Sequence, residues 1–251
     1  MKRIAALSFL AVAIAAPAQS LSFSTVPTAD AFVTTGPSGN LSGNNYGGAG
    51  GVSVSAPGSA NGEFQSVLKF DLSGAAASFD GAFGAGQWNL QSVTLQLTAA
   101  APNAGIFNPS AAGQVGISWM QNDSWTEGTG NPGMPGVTGI TYTTLQSTFI
   151  GAGDQSVGTF AFSGATSGAF VYTLGLSAGL SADALAGSLL SLRLFGADSA
   201  VSGIFNSRSF ITAASRPILT ISAVPEPDPL ALGGVGLALI GAVRRRRRRV
   251  R

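Results

Sequence analysis

Val93-Thr94-Leu95-Gln96-Leu97 alternates apolar and polar side chains without a break. Successive side chains of an extended strand point to opposite faces, so this stretch predicts a strand that buries Val93, Leu95 and Leu97 and turns Thr94 and Gln96 outward. The same period of two runs through most of the chain. It appears at 31–34, 52–55, 64–72 (with Phe64, Leu68, Phe70 and Leu72 on one side), 115–119, 140–142, 160–162, 170–174, 190–194 and 219–221. Gly-rich spacers, notably 36–51 and 128–139, lie between these runs and read as turns and loops. Only 181–190 reads as helical. Many short strands without helical crossovers predict an all-β fold: an antiparallel two-sheet sandwich of jelly-roll type, one domain over residues 21–223. No internal repeat suggests a solenoid or propeller.

Composition narrows the chemistry. The 251 residues are 45% apolar and 10% charged, enough to bury a sizeable core. There is no His and no Cys. An imidazole base, a Ser-His-Asp or Cys-His pair, a disulfide framework and a Cys/His zinc site are therefore excluded. The formal charge of +2 is a property of the ends. Lys2 and Arg3 stand at the N-terminus, and Arg244, Arg245, Arg246, Arg247, Arg248, Arg249 and Arg251 at the C-terminus. Between 21 and 223 four basic residues (Lys69, Arg193, Arg208, Arg216) face nine acidic ones, a net of −5. An acidic body argues against nucleic acid as a partner.

Both ends read as addresses. Residues 1–20, MKRIAALSFLAVAIAAPAQS, combine a short basic start, an apolar stretch and small residues at Ala16, Ala18 and Ser20. That pattern predicts a secretory signal peptide, cleaved by signal peptidase after Ala18 or after Ser20. Residues 224–251 begin with Val224-Pro225-Glu226-Pro227 and continue through Asp228-Pro229 into an apolar run at 230–243 and the arginine block. As a helix the 14 apolar residues span ~21 Å, a short transmembrane anchor that relies on arginine stems snorkelling. The arginines stay on the cytoplasmic side, which puts the body outside. The prolines keep the segment ahead of the helix extended and open to a protease.

This tail resembles the PEP-CTERM sorting signal of Gram-negative, biofilm-forming bacteria, with Pro225, Glu226 and Pro227 at the motif positions. The resemblance implies an exosortase that cuts near the motif and a body released or attached at the cell surface or in the exopolysaccharide matrix. A second resemblance lies in landmarks across the body: Ala29-Asp30-Ala31-Phe32-Val33, Asn45-Tyr46-Gly47, Val67-Leu68-Lys69-Phe70-Asp71-Leu72, Val93 to Leu97, Asp123-Ser124-Trp125-Thr126-Glu127-Gly128, and Arg216-Pro217-Ile218-Leu219-Thr220-Ile221. In this order they are similar to the DNRLRE-type domain, a jelly-roll module of secreted bacterial proteins related to carbohydrate-binding modules. It implies polysaccharide as a partner. The chain departs from it in a Gly/Ala-rich stretch at 74–86 and in its few basic residues.

Trp125, Asp123 and Glu127 are the candidate glycan contacts: a ring that stacks on a sugar face beside carboxylates that accept hydroxyl hydrogen bonds. The competing reading makes Trp125 a plug at the end of the sandwich and gives the two acids to loop amides. As a glycosidase pair, Asp123 and Glu127 meet the required separation but lack the environment that raises one pKa. Tyr46, Tyr142 and Tyr172 assemble no lyase base, so no catalytic residue is assigned and the chain reads as non-enzymatic. Trp119 continues the alternation and reads as core, Trp88 has no assigned role, and Lys69 and Asp71 read as a surface ion pair. No cofactor and no metal ligand are assigned. A structural calcium ion is the one ion weighed, with Asp30, Asp71 and Asp123 as donors, although no Asp-x-Asp-x-Asp-Gly loop is present. The expectation is an exported surface or matrix protein that binds or organises polysaccharide. The alternatives are a purely structural matrix protein and a polysaccharide-cleaving enzyme.

Overall fold

Where the alternation of side chains is regular the chain is extended, and each extended segment finds an antiparallel neighbour in the computed structural model, which describes residues 19–227. The strands are β1 (Leu21–Thr25), β2 (Ala29–Thr34), β3 (Gly51–Ser55), β4 (Phe64–Asp71), β5 (Trp88–Ala100) and β6 (Gly113–Met120), followed by β7 (Gln155–Phe162), β8 (Ala169–Leu174), β9 (Leu189–Gly196), β10 (Ser202–Asn206) and β11 (Ile218–Pro225). Among the described residues five helical segments join them: α1 (Ser73–Phe83), α2 (Tyr142–Thr144), which runs into a π-helical turn at Leu145–Phe149, α3 (Ala178–Ala186), and a 3-10 turn at Ala213–Ser215. The fold is mostly β, and hydrogen bonding connects the strands into one curled antiparallel sheet.

One part of the sheet has the order β1-β11-β5-β8, with Ser24 opposite Thr220, Thr220 opposite Thr94, and Thr94 opposite Thr173. The other part runs β10-β3-β4-β9-β6-β7, with β2 on the remaining edge of β4. β5 links the two. Its 13 residues pair with β11 and β8 along most of their length, and Ala99 and Ala100 then pair with Phe205 and Ile204 of β10. The curl brings the inward side chains of both parts together. Leu95, Leu97, Leu219 and Ile221 from the first share a buried core with Leu68, Phe70, Ile117 and Leu192 from the second. α1 and α3 add Ala75, Phe79, Leu180 and Ala184 to that core.

β2 is buried on both faces and so divides two smaller clusters. Ala31 and Val33 pack with Val67, Met120, Trp125, Ile140 and Leu145. Phe32, pointing the other way, packs with Tyr46, Phe64, Phe107 and Ile204, its ring stacked on Tyr46 at 4.7 Å between centroids. Trp119 is core, as its alternation predicts.

Several expectations are corrected. Residues 140–142 are not a strand. Thr141 caps the turn of α2 by accepting the Thr144 amide, while the Thr144 hydroxyl accepts the Thr141 amide. Three alternating residues are too few to separate a strand from a capped turn. α1 occupies the Gly/Ala-rich stretch that carried no periodic signal, burying only Ala75 and Phe79, one turn apart. α3 starts at Ala178, capped by the Ser177 side chain, and ends at Gly187 in the left-handed region (φ 64°), which releases Leu189 and Leu190 to β9. β1 and β10 were not anticipated; β10 is buried on both faces and so lacks alternation. β11 continues to Pro225, beyond the expected boundary at 223.

The expected signal peptide, apart from Gln19 and Ser20, lies outside the described residues, as do the apolar run at 230–243 and the arginines from Arg244 to Arg251. Among the described residues no helix is long and apolar enough to cross a membrane.

Leu219 is fully buried between β1 and β5, opposite Thr25 and Leu95. Leu219→Ala is expected to lower unfolding free energy by roughly 2 to 5 kcal/mol in urea titrations, the range for a truncated core leucine. A loss below about 1 kcal/mol would show that β11 is not packed as described.

Candidate functional site

The connection from β6 to β7, residues 121–154, folds back over the outer side of β2 and β4, and it carries all three candidate glycan contacts. Trp125 differs from the glycan-contact expectation. Its side chain fills the cluster around Ala31, Val33 and Val67 and is only 1% exposed, so neither ring face is open to a sugar. The ring is fixed by polar contacts from the sheet beneath. Its Nε1 donates to the Ser191 hydroxyl at 2.9 Å, and the Lys69 ammonium lies 4.4 Å from the ring centroid while donating to the Trp125 carbonyl at 2.6 Å. A cation over an indole face and a partnered indole N–H are what a buried tryptophan requires.

Asp123 lies beside that cluster and is half-buried, its Oδ1 sheltered from solvent without a hydrogen-bond partner. Burial pushes its pKa above the ordinary carboxylate value, with Ser191 opposing and Asp183 adding to the rise. Burial likewise lowers the Lys69 pKa, while the Asp123 charge opposes that shift. Lys69 therefore does not form the expected surface pair with Asp71. The Asp71 carboxylate accepts the Ser73 amide at the start of α1 (2.9 Å), which lowers its pKa.

Glu127 belongs to a different group. Its Oε1 accepts the Asp30 amide at 3.0 Å and Arg208 Nε at 2.8 Å, and its Oε2 accepts Arg208 Nη2. The Arg208 amide donates in turn to Asp30 Oδ2 at 2.6 Å. The start of β2, the 121–128 segment and the loop after β10 are thus fastened by one closed set of contacts. Asp30 is 2% exposed, and burial drives its pKa up to about 7; the Glu127 charge adds to this, while the Arg208 amide and guanidinium oppose it. Arg208 is one of only four cations in the body, and its partner is the acid that the sequence assigned to sugar.

Asn45 holds the same loops from the inside. Its side-chain amide donates to the carbonyls of Glu127 (2.7 Å) and Ile140 (2.8 Å), and its Oδ1 accepts the amides of Gly47 (3.2 Å) and Gly130 (3.1 Å). The fit requires glycine around it. A Cβ on Gly130 would stand 2.0 Å from the Asn45 carbonyl oxygen, and one on Gly128, whose φ is 76°, 2.2 Å from Asn45 Oδ1. Sequence reasoning noted Asn45-Tyr46-Gly47 only as a landmark. Its signal was an asparagine in a Gly-rich loop, which reports a turn and not the loop bound by it.

The remaining indoles follow the same rule. Trp119 donates to Asp183 Oδ2 at 2.6 Å, and Trp88, tilted against Phe79 at 4.9 Å, donates to Asp80 Oδ1 at 2.8 Å. Of the three calcium candidates, Asp30 accepts the Arg208 amide, Asp71 accepts the Ser73 amide, and Asp123 lies by Lys69. Among the described residues no three metal-ligating side chains gather. A cleft lined by Asn103, Phe107, Asn206 and Phe210 has a volume of about 90 Å³, against the ~300 Å³ or more of small-molecule sites.

The residues expected to form a sorting motif begin inside the sheet. Val224 pairs with Asn89 and Pro225 with Trp88, and the Glu226 amide donates to the Gln87 carbonyl at 2.9 Å. Glu226 and Pro227 are exposed. No family model matches the chain, and no curated protein matches it.

Two outcomes follow from the loop cluster. Asn45→Ala leaves four backbone groups unpaired and is expected to cost roughly 2 to 4 kcal/mol in chemical denaturation, with loop 121–141 cut earlier by protease than the sheet. A change within 0.5 kcal/mol, the scale of ordinary surface substitutions, would remove Asn45 from this role. For Asp30, a raised folded pKa means that the native state keeps a proton which the unfolded chain releases above pH ~4. Stability from this group is full below pH ~4 and is lost as pH rises toward 7. Asp30→Asn, which stays neutral, is expected to flatten the melting temperature between pH 4 and 7; parallel profiles for both proteins would contradict the burial argument.

Proposed function

We propose that this chain is an exported, non-enzymatic β module, delivered to the cell surface or exopolysaccharide matrix of a Gram-negative bacterium, where it binds or organises polysaccharide. We read the curled sheet as a jelly-roll sandwich, the β1-β11-β5-β8 part facing the other across the shared core, in keeping with the DNRLRE-type resemblance. Signal peptidase and exosortase are its processing partners, and the membrane holds it only through the C-terminal helix before processing.

The observation that carries the reading is the junction at the end of β11. The packed body runs without a linker into Val224-Pro225-Glu226-Pro227, and the motif emerges from the sheet at Glu226, where the side chains become exposed. A compact domain followed at once by a cleavable proline-rich stretch suits a body meant to be cut free or transferred whole.

One observation favours a second reading, a structural matrix protein with no discrete ligand site. Trp125 and Glu127 are spent on holding the 121–154 connection to the sheet, and Trp125 is buried. On that reading the polymer is contacted by broad surface, and retention does not saturate.

Replacing Pro225, Glu226 and Pro227 by alanines in the producing cell is expected to leave a larger, membrane-bound species on immunoblots of fractionated cells. Processing at the normal size and place would refute the sorting claim.

A further inference from the structure

The β1-β11-β5-β8 layer has two faces of opposite chemistry. Inward lie Val93, Leu95, Leu219, Ile221, Tyr172 and Leu174, all in the core. Outward, Ser24, Thr220, Thr94 and Thr173 stand in one row across the four strands. Ser22, Ser222 and Ser92 form the next row, and Ile218, Gln96 and Val171 the row on the other side. No residue of these four strands is charged. The outer face of β2 and β4, in contrast, is roofed by the 121–154 connection. Among the described residues, one sheet face is covered and the other is left bare.

A bare antiparallel face in a soluble domain ordinarily alternates buried apolar residues with charged or strongly polar ones. Here two of the three outward rows are hydroxyls in register, and the third holds Ile218, Gln96 and Val171. Ser22 bonds Ser222 at 2.7 Å and Ser24 bonds Thr220 at 2.8 Å, and since each hydroxyl has one donor and two acceptor sites, every pair keeps hydrogen-bonding capacity for a further partner. With strands ~4.8 Å apart, four strands present a strip roughly 14 Å wide. The matching partner is extended, repetitive, rich in hydroxyls and without charge. An anionic polymer does not match, because it finds no cation on the face and meets a body of net charge −5.

We propose that the outer face of the β1-β11-β5-β8 layer docks neutral polysaccharide, the chain lying across the Ser/Thr rows. This deepens the matrix-protein reading and rests on it. Each hydroxyl contact exchanges for water and is worth little alone, so binding is weak per sugar and builds with the number of rows and protein copies engaged.

The test is native electrophoresis of the exported protein through gels containing a neutral glucan, a neutral galactomannan or alginate. The wild-type protein is expected to be retarded by a neutral polymer and not by alginate. Thr94→Lys/Thr173→Lys is expected to weaken that retardation about tenfold, whereas the charge-matched Ala182→Lys/Leu185→Lys on α3 leaves it unchanged. Thr173→Glu on β8, which is exposed, serves as a second face variant should the double substitution lower the melting temperature. Equal retardation of face variants and wild type would overturn the inference and leave the matrix reading standing, as would retardation by alginate alone. Self-association of the wild type in sedimentation, abolished by the face variants, would overturn it in favour of a second copy as the occupant. No retardation by any polymer would overturn both.

Discussion

The last strand of the body is not at an edge. β11 sits between β1 and β5, so Leu21 near the start of the described chain pairs with Ala223 near its end. Closing a loop of this length costs entropy only slowly with length, but it must be met before the layer gains anything, and contacts of such separation form late in folding. β11 supplies three residues of the main core. Leu219, Ile221 and Ala223 complete the inner face that α1 and the opposing strands pack against. The outer hydroxyl rows depend on it equally, because Thr220 and Ser222 are their middle members. The layer therefore cannot close until residues 218–225 are in place, and the proposed sorting motif, Val224 to Pro227, begins within the last two residues of that strand.

Around this frame, polar groups hold the long connections. The 121–154 segment has little regular structure of its own, yet it is held by one buried asparagine that binds its backbone, one bidentate arginine-carboxylate pair and a tryptophan whose ring lies under a lysine. A half-exposed ion pair contributes modestly by Coulomb attraction. Its value here lies in geometry, since the Arg208 guanidinium and amide fix Glu127 and Asp30 together. The residues that resemble a sugar site by composition are thus consumed as fasteners. An aromatic between two acids is equally the composition of a loop that must be pinned to a sheet.

Much of the fold was legible because alternation of residue type is an imprint of extended backbone: the runs at 64–72, 93–97 and 115–119 all became strands, β5 buried on one face and β4 and β6 covered on both. What escaped was structure without that imprint. β10 is buried on both faces, α1 is written in Gly and Ala with a single buried pair, and 140–142 alternates over a length at which a capped turn looks the same. At the candidate site the residue types were found and their use was not. Whether Trp125 faces solvent depends on Lys69 and Ser191, 56 and 66 residues away in sequence, and no local pattern encodes that. The proline-rich motif was legible as a motif, while its first half serving as strand follows only from the pairing of β11 with β5.

A charge-free layer, closed by the final strand, thus leads directly into the proline-rich segment proposed as a sorting motif. Amide hydrogen exchange along residues 218–227 of the full chain addresses this most directly. The account predicts that amides of 219–223 are among the slowest in the protein, with protection extending to the Glu226 amide, which donates to Gln87. Exchange of 218–226 at the rate of a free peptide, while β4, β6 and β9 remain protected, would contradict it.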